Sequence, residues 1–175
     1  MRNFTYIFLF ALLSLGWINK ENTIQSATIF GKVIGIKDGD TIEILYNGKP
    51  LKIRLAHIDC PEIKGSQPFG RAAKEYVSDQ CFGHLVNIHH NNEYDRNKRL
   101  IGEVINQKGI NINKALVSVG LAWHYKKYST DADYAKLEES ARMQQIGVWS
   151  EPAPVAPWEW RKPVGKKVGE SKYEE

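Results

Sequence analysis

Cysteine is scarce in this chain. Cys60 and Cys81 are the only two in 175 residues, so at most one internal bridge is available and stability must come from a packed core. Nor is there a ready soft-metal site: His89 and His90 are neighbours on a predicted strand and face opposite ways. No internal repeat is visible, and the strands lack the aromatic platform that an oligosaccharide-binding barrel would need. The longest apolar run, Tyr6 to Trp17, falls short of the roughly 20 residues that span a bilayer. Charge is not lopsided either, since Lys+Arg 24 against Asp+Glu 20 gives +4 and a pI near 9.0. That balance is compatible with a polyanionic partner without requiring one.

The length suits one domain with appendages. Residues 1–27 place Arg2 ahead of the apolar run, with small residues following, and read as a secretory leader that is removed. Export to the periplasm or the medium is therefore expected, with no stable membrane association after removal, and a monomer is expected. In such an oxidising setting Cys60 and Cys81 either pair, which contributes ~3 kcal/mol, or remain two partly buried thiols. Residues 28–150 form the predicted domain. Residues 151–175 read as a tail with four prolines and two tryptophans; Trp158 and Trp160 are expected to dock on the domain, with disorder beginning after Pro163.

Within the domain, TIFGKVIGIK (28–37), Asp40 to Tyr46 and LKIRLAHI (51–58) read as strands, the last two joined by the hairpin turn Asn47-Gly48. HLVNIHH (84–90) and RLIGEVIN (99–106) add two more. Helices are predicted over FGRAAKEYVSDQCF (69–82), INKALVSVGLA (112–122) and DADYAKLEESARMQQI (131–146), the third stopped by Gly147. Five short strands with a helix inserted after the third suit a small closed Greek-key barrel of β-rich α+β class.

The charge pattern of DGDTIEILYNGKPLKIRLAHIDCPE (38–62) is unusual for a hairpin. Five carboxylates, Asp38, Asp40, Glu43, Asp59 and Glu62, surround one arginine, Arg54. Folding about Asn47-Gly48 brings the two ends together, so Asp40 and Asp59 are expected to share a cation. Their oxygens, with a backbone carbonyl and water, make the hard ligand set that calcium accepts. Asp38 and Glu43 read as solvated turn residues, and Arg54 alternatively as a structural partner of Glu43 or Glu62.

DGDT, an arginine fourteen residues after its second Asp, then D-x-P-E, D-R-N-K-R, GLAW and IGVWS resemble the staphylococcal nuclease (thermonuclease) family over roughly 31–149. The resemblance implies a five-stranded Greek-key OB-fold barrel with three α-helices. It also implies a calcium-dependent phosphodiesterase that cuts DNA and RNA to leave 3′-phosphates. Asp40 and Asp59 then match the calcium carboxylates. Cys60 stands where the family's reference member has a threonine lending its backbone carbonyl. Arg54 and Arg99 match the phosphate-binding arginines, and Glu62 the acid beside the attacking water. Arg96 and Lys98 compete with Arg99 as phosphate ligands. Tyr125, Lys126, Lys127 and Tyr128 either stack and steer a nucleic acid or form a surface-packed helix end, while Trp123 and Trp149 are assigned to the core. Asn97 replaces a tyrosine of the reference member, and the loop Ile63 to Pro68 is short. The reading from another class is a non-catalytic nucleic-acid-binding barrel, against which all five active-site positions are filled.

Overall fold

The computed structural model describes residues 26–162; the expected leader up to residue 25 and the disorder expected after Pro163 lie outside the described residues, and Ala27, the last residue of that expected leader, already belongs to the first strand. Five strands close a barrel: β1 (Ala27–Ile36), β2 (Thr41–Tyr46), β3 (Lys49–Leu55), β5 (Leu85–Tyr94) and β6 (Leu100–Ile105). Their order around it is β1-β2-β3-β6-β5, with β1 closing on β5. All pairs are antiparallel except β3 with β6. This is the predicted five-stranded OB-type barrel with helices against it.

The β2–β3 hairpin turns at Asn47 and Gly48, whose φ values of 48° and 73° are those a type I′ turn needs. The turn fixes the register, Thr41 opposite Arg54 and Ile42 opposite Ile53. Ile42, Ile44, Ile53 and Leu55 then all point into the barrel with Val33, Ile88, Leu100 and Val104, and each contributes roughly 1.5–3 kcal/mol by leaving water. Arg54 lies between two inward residues of β3 and so points off the core face.

Helix α1 (Gly70–Cys81) buries Ala73, Val77 and Cys81, one stripe at helical spacing. Helix α2 (Ile112–Ser118) is capped by Asn111, whose side chain accepts from the Lys114 amide; α3 (Ala132–Met143) is capped by Asp131, which accepts from the Asp133 amide. The third helix stops before the predicted Gly147, through Gln145 in the left-handed region, and Gly147 begins a separate 3-10 turn, Gly147–Ser150. Three further short elements were not anticipated. Ile58–Asp59 (β4) leaves the β3 hairpin and pairs with Trp123–His124 (β7), and a fourth, short helix, α4 (Pro157–Trp160), follows the domain.

A second core forms at this end from Trp123, Ala141, Val148, Trp149 and Ala156, with Trp158 packed against it. The Arg142 guanidinium lies 3.6 Å from the Trp149 ring centroid. Trp123 and Trp149 are thus core residues, as predicted. Cys60 and Cys81 are both free and buried. Burial raises both thiols, Cys81 to about 12, so each is an uncharged apolar filler. Among the described residues no helix is long and apolar enough to cross a membrane.

Candidate active site

Asp40 and Asp59 do converge. Asp40 precedes β2, with its carbonyl accepting from the Leu55 amide at 2.8 Å, and Asp59 ends β4, which β7 holds against the end of the hairpin. Between them Arg54 spreads its fork. Nη1 lies 2.8 Å from Asp40 Oδ2 and Nη2 donates to Asp59 Oδ1 at 2.9 Å. Arg54 therefore pairs with these two acids, while Glu43 pairs with Lys37 at 3.1 Å. Asp59 is 1% exposed. Its burial, with the Asp40 charge, pushes the carboxyl up, and the hydrogen bond from Arg161 and the charges of Arg54 and Arg161 oppose that. Burial likewise acts to lower Arg54, but the carboxylates of Asp40 and Asp59 outweigh it and hold the guanidinium charge more firmly than usual.

The turn before β2 is pressed tightly into place. A Cβ on Gly39 would stand 2.6 Å from that of Ala73 and 2.9 Å from that of Cys60, so only glycine lets this turn lie against α1 and the β4 end. Cys60 turns its thiol to the core and donates its amide to Asp40 Oδ2 at 2.9 Å. Any ligand it offers is main-chain, as the sequence reading required. Asp38 closes the turn by accepting from the Asp40 amide at 3.1 Å. Burial, reinforced by the Asp40 charge, raises Asp38 from 3.8 to about 6. The folded state therefore binds this proton more tightly than the unfolded chain, and stability falls as pH rises from about 4 through about 6. Asp38→Asn keeps the turn acceptor and removes the charge. In chelator at pH 7 it is expected to unfold at higher temperature than the parent, by the equivalent of about 1 kcal/mol, the gap closing toward pH 4. Identical melting temperatures from pH 4 to 8 would contradict this.

Glu62 lies just beyond, half-buried. Its amide donates to Gln67 Oε1 at 2.9 Å, and the first turn of α1 packs on its backbone because Gly70 has no Cβ, which would come within 2.8 Å of the Glu62 carbonyl oxygen. Arg99 reaches the cluster through Thr41. Its Nη1 donates to Thr41 Oγ1 at 2.8 Å, and that hydroxyl donates to Asp40 Oδ1 at 3.2 Å. Asp95 orients Arg99 from the other side, accepting from Nε at 2.7 Å and from the Asn97 and Arg99 amides. Of the three basic residues in that loop only Arg99 is folded inward, whereas Arg96 and Lys98 are exposed.

The residues 125–128 form a turn after β7, the Tyr128 amide donating to the Tyr125 carbonyl at 2.9 Å, and not a helix end. Tyr125 stacks at 5.1 Å and 5° on Trp158. Lys126 reaches buried Glu138 at 3.0 Å. Tyr128 is 69% exposed, with Lys127 Nζ 5.2 Å above its ring. A cavity of about 430 Å³ beside this turn is lined by Trp123, Tyr125, Lys127, Glu138 and Trp158, and by none of Asp40, Asp59 and Glu62.

One site residue was missed by the sequence reading altogether. Arg161, just past α4, donates from Nη2 to Asp59 Oδ2 at 2.7 Å and from Nη1 to Glu62 Oε1 at 2.6 Å. It is 102 residues from Asp59 and belongs to no spaced motif. The one available signal was the Trp-x-Trp pair between prolines in an otherwise polar tail.

An apolar-walled barrel with two buried aspartates on an arginine fork, a glutamate beside them and a second inward arginine is the constellation that the family resemblance implied. The profile of the family described as staphylococcal nuclease homologue matches residues 52–151. The chain belongs to that family. It is 39% identical over 138 residues to an uncharacterized endonuclease of Escherichia coli, covering 79% of this chain and 88% of that protein. It is 39% identical over 142 residues to a micrococcal nuclease of Shigella flexneri, covering 75% and 80%. An uncharacterized endonuclease of Haemophilus influenzae is 40% identical over 132 residues, 75% of this chain and 72% of that one.

For a divalent ion, this family member offers hard oxygens only. Among the described residues no three His, Cys, Asp or Glu side chains are arranged as a complete ligand set. Two carboxylates, a main-chain carbonyl and water would have to suffice, a set that suits calcium and excludes soft metals. The pocket between Asp59 and Glu62 already accommodates positive charge, that of Arg161, so the donor chemistry fits a cation.

Proposed function

We propose that the chain is an exported, calcium-dependent, sequence-nonspecific nuclease that hydrolyses phosphodiester bonds of DNA and RNA to leave 3′-phosphates. The observation that carries this reading is the single Arg54 fork holding Asp40 and Asp59 at 2.8 and 2.9 Å, with Glu62 beside them. Family membership and the endonuclease relatives support the reaction class.

Asp40, Asp59 and the Cys60 carbonyl would hold calcium, which when bound supplies a Lewis acid for a phosphate oxygen and an anchor for water. Arg54 and Arg99 present planar donor forks to the phosphate, whose negative charge grows as the water oxygen attacks phosphorus. Glu62 accepts the water proton. The bond from phosphorus to the 5′ oxygen breaks, the 5′ oxygen takes up a proton, and the phosphate stays on the 3′ side. Tyr128 and Lys127, exposed together on the turn after β7, are the contacts for a base and the backbone beyond the scissile phosphate, whereas Tyr125 and Lys126 are engaged by the chain's own Trp158 and Glu138.

The test is degradation of plasmid DNA and of RNA by the purified chain with calcium and with excess chelator. Cleavage that disappears in chelator and returns with calcium is expected. A protein that binds DNA and cuts it at no calcium level would instead be a nucleic-acid-binding module. Asp40→Asn should raise the calcium concentration for half-maximal activity by about 10-fold or more, and an unchanged titration would remove Asp40 from the metal shell.

A further inference from the structure

We infer that Arg161 is a positioning residue of the active site, delivered by a C-terminal strap that bridges Asp59 to Glu62 and holds the Glu62 carboxylate turned toward the metal carboxylates. The inference rests on the nuclease reading above and adds a residue to it.

The strap is built, not draped. Gln67, itself buried, accepts from the Glu62 amide through Oε1 at 2.9 Å and donates through Nε2 to the Val155 carbonyl at 2.8 Å. One side chain thus ties the Glu62 loop to the strap. Trp158 lies flat on Tyr125 and edge-on to Trp123. Trp160 Nε1 comes within 3.2 Å of a Cβ placed on Gly65, so α4 spans from the β7 turn to the loop after Glu62. These anchors fix the helix that carries Arg161, and little rotamer freedom remains for the side chain to lose when it binds. Although 43% exposed, it makes two close carboxylate contacts, to different residues. A lysine has one ammonium and cannot span both.

Two roles fit a guanidinium in this position: a plug that must leave before a cation enters, or a permanent part of the site. Charge favours the second. Asp38, Asp40, Asp59, Glu62 and Asp95 place five carboxylates around three guanidinium groups, Arg54, Arg99 and Arg161. Negative charge is therefore in excess with Arg161 seated, and the cluster keeps its attraction for a dication. Arg161 also takes only one Glu62 oxygen, Oε1, which leaves Oε2 for a water. Without Arg161, nothing among the described side chains holds the Glu62 carboxylate beside Asp59, and like charges would drive the two apart.

The experiment compares Arg161→Gln, Arg161→Lys and the control Lys162→Gln, whose parent side chain pairs with Glu159. At saturating calcium Arg161→Gln is expected to lower kcat by about 10- to 100-fold with KM for DNA little changed. Arg161→Lys should recover part of this, and Lys162→Gln should match the parent. In chelator, Arg161→Gln and Glu62→Ala should lower the melting temperature non-additively, since each removes the same contact. Arg161→Gln that cuts as fast as the parent, or faster at limiting calcium, would overturn the inference and mark the strap as an ornament or a plug. A loss confined to KM, or additive melting shifts, would also overturn it. If the unaltered chain cuts nothing with any cation, both the inference and the nuclease reading fall. If it cuts and only Arg161→Gln is silent, the reading stands and the inference alone fails.

Discussion

Arg54→Lys is expected to lower kcat by about 10²- to 10³-fold, although it keeps the positive charge. The reason is geometric. Arg54 holds Asp40 with one terminal nitrogen and Asp59 with the other, at 2.8 and 2.9 Å, and a lysine ammonium is a single point that can sit on one acid or the other. The side of the cleft that should meet phosphate would lose its planar fork, and the two aspartates would lose their common partner. The change keeps the positive charge, so the barrel is expected to fold. Breaking a buried pair outright costs about 3–5 kcal/mol, and Arg54→Ala should approach that range because Asp40 would keep no cationic partner. Steady-state kinetics on plasmid DNA, with melting temperatures recorded alongside, separate the two effects. Turnover within a few-fold of the parent in a folded Arg54→Lys protein would remove Arg54 from the phosphate.

Glu62→Gln comes next, with an expected loss of about 10²- to 10⁴-fold in kcat. The substitution is nearly isosteric. The Glu62 amide stays on Gln67, and an amide oxygen can still accept from Arg161, so the loop keeps its shape while the side chain can no longer take a proton from water. Calcium half-saturation should change little, because the ligand carboxylates are Asp40 and Asp59. A variant that retains kcat within threefold would show that Glu62 neither takes the proton nor orders the water. A large rise in the calcium requirement would place Glu62 in the metal shell instead.

Much of this site is legible in the sequence because its members are local to one hairpin. Asn47-Gly48 fixes a type I′ turn, the turn fixes the register, and a side-chain period of two then dictates that Ile53 and Leu55 go inward while Arg54 points off the core face. Arg99 was separable from Arg96 and Lys98 only through the family pattern. The fold supplies the physical reason, since Asp95 collects two amides and the Arg99 guanidinium and winds the loop so that one of the three basic side chains points inward.

What the sequence left open were contacts between distant segments. Tyr125 reads as a base-stacking candidate from its neighbours, yet its ring is covered by Trp158, more than thirty positions along the chain. The cysteines satisfy the count for a bridge, yet both lie in the barrel core as free thiols.

Alternating apolar residues, turn residues of positive φ and helix caps determined the barrel and its helices, because each acts over a few residues and depends on backbone geometry that the residues themselves carry. The junction of β4 with β7 and the seating of Arg161 on Asp59 and Glu62 were decided only by tertiary structure. Two strand residues cannot choose a partner by propensity, and an arginine 102 positions from its carboxylate is drawn there by the excess negative charge of a pocket that exists only once the barrel has closed.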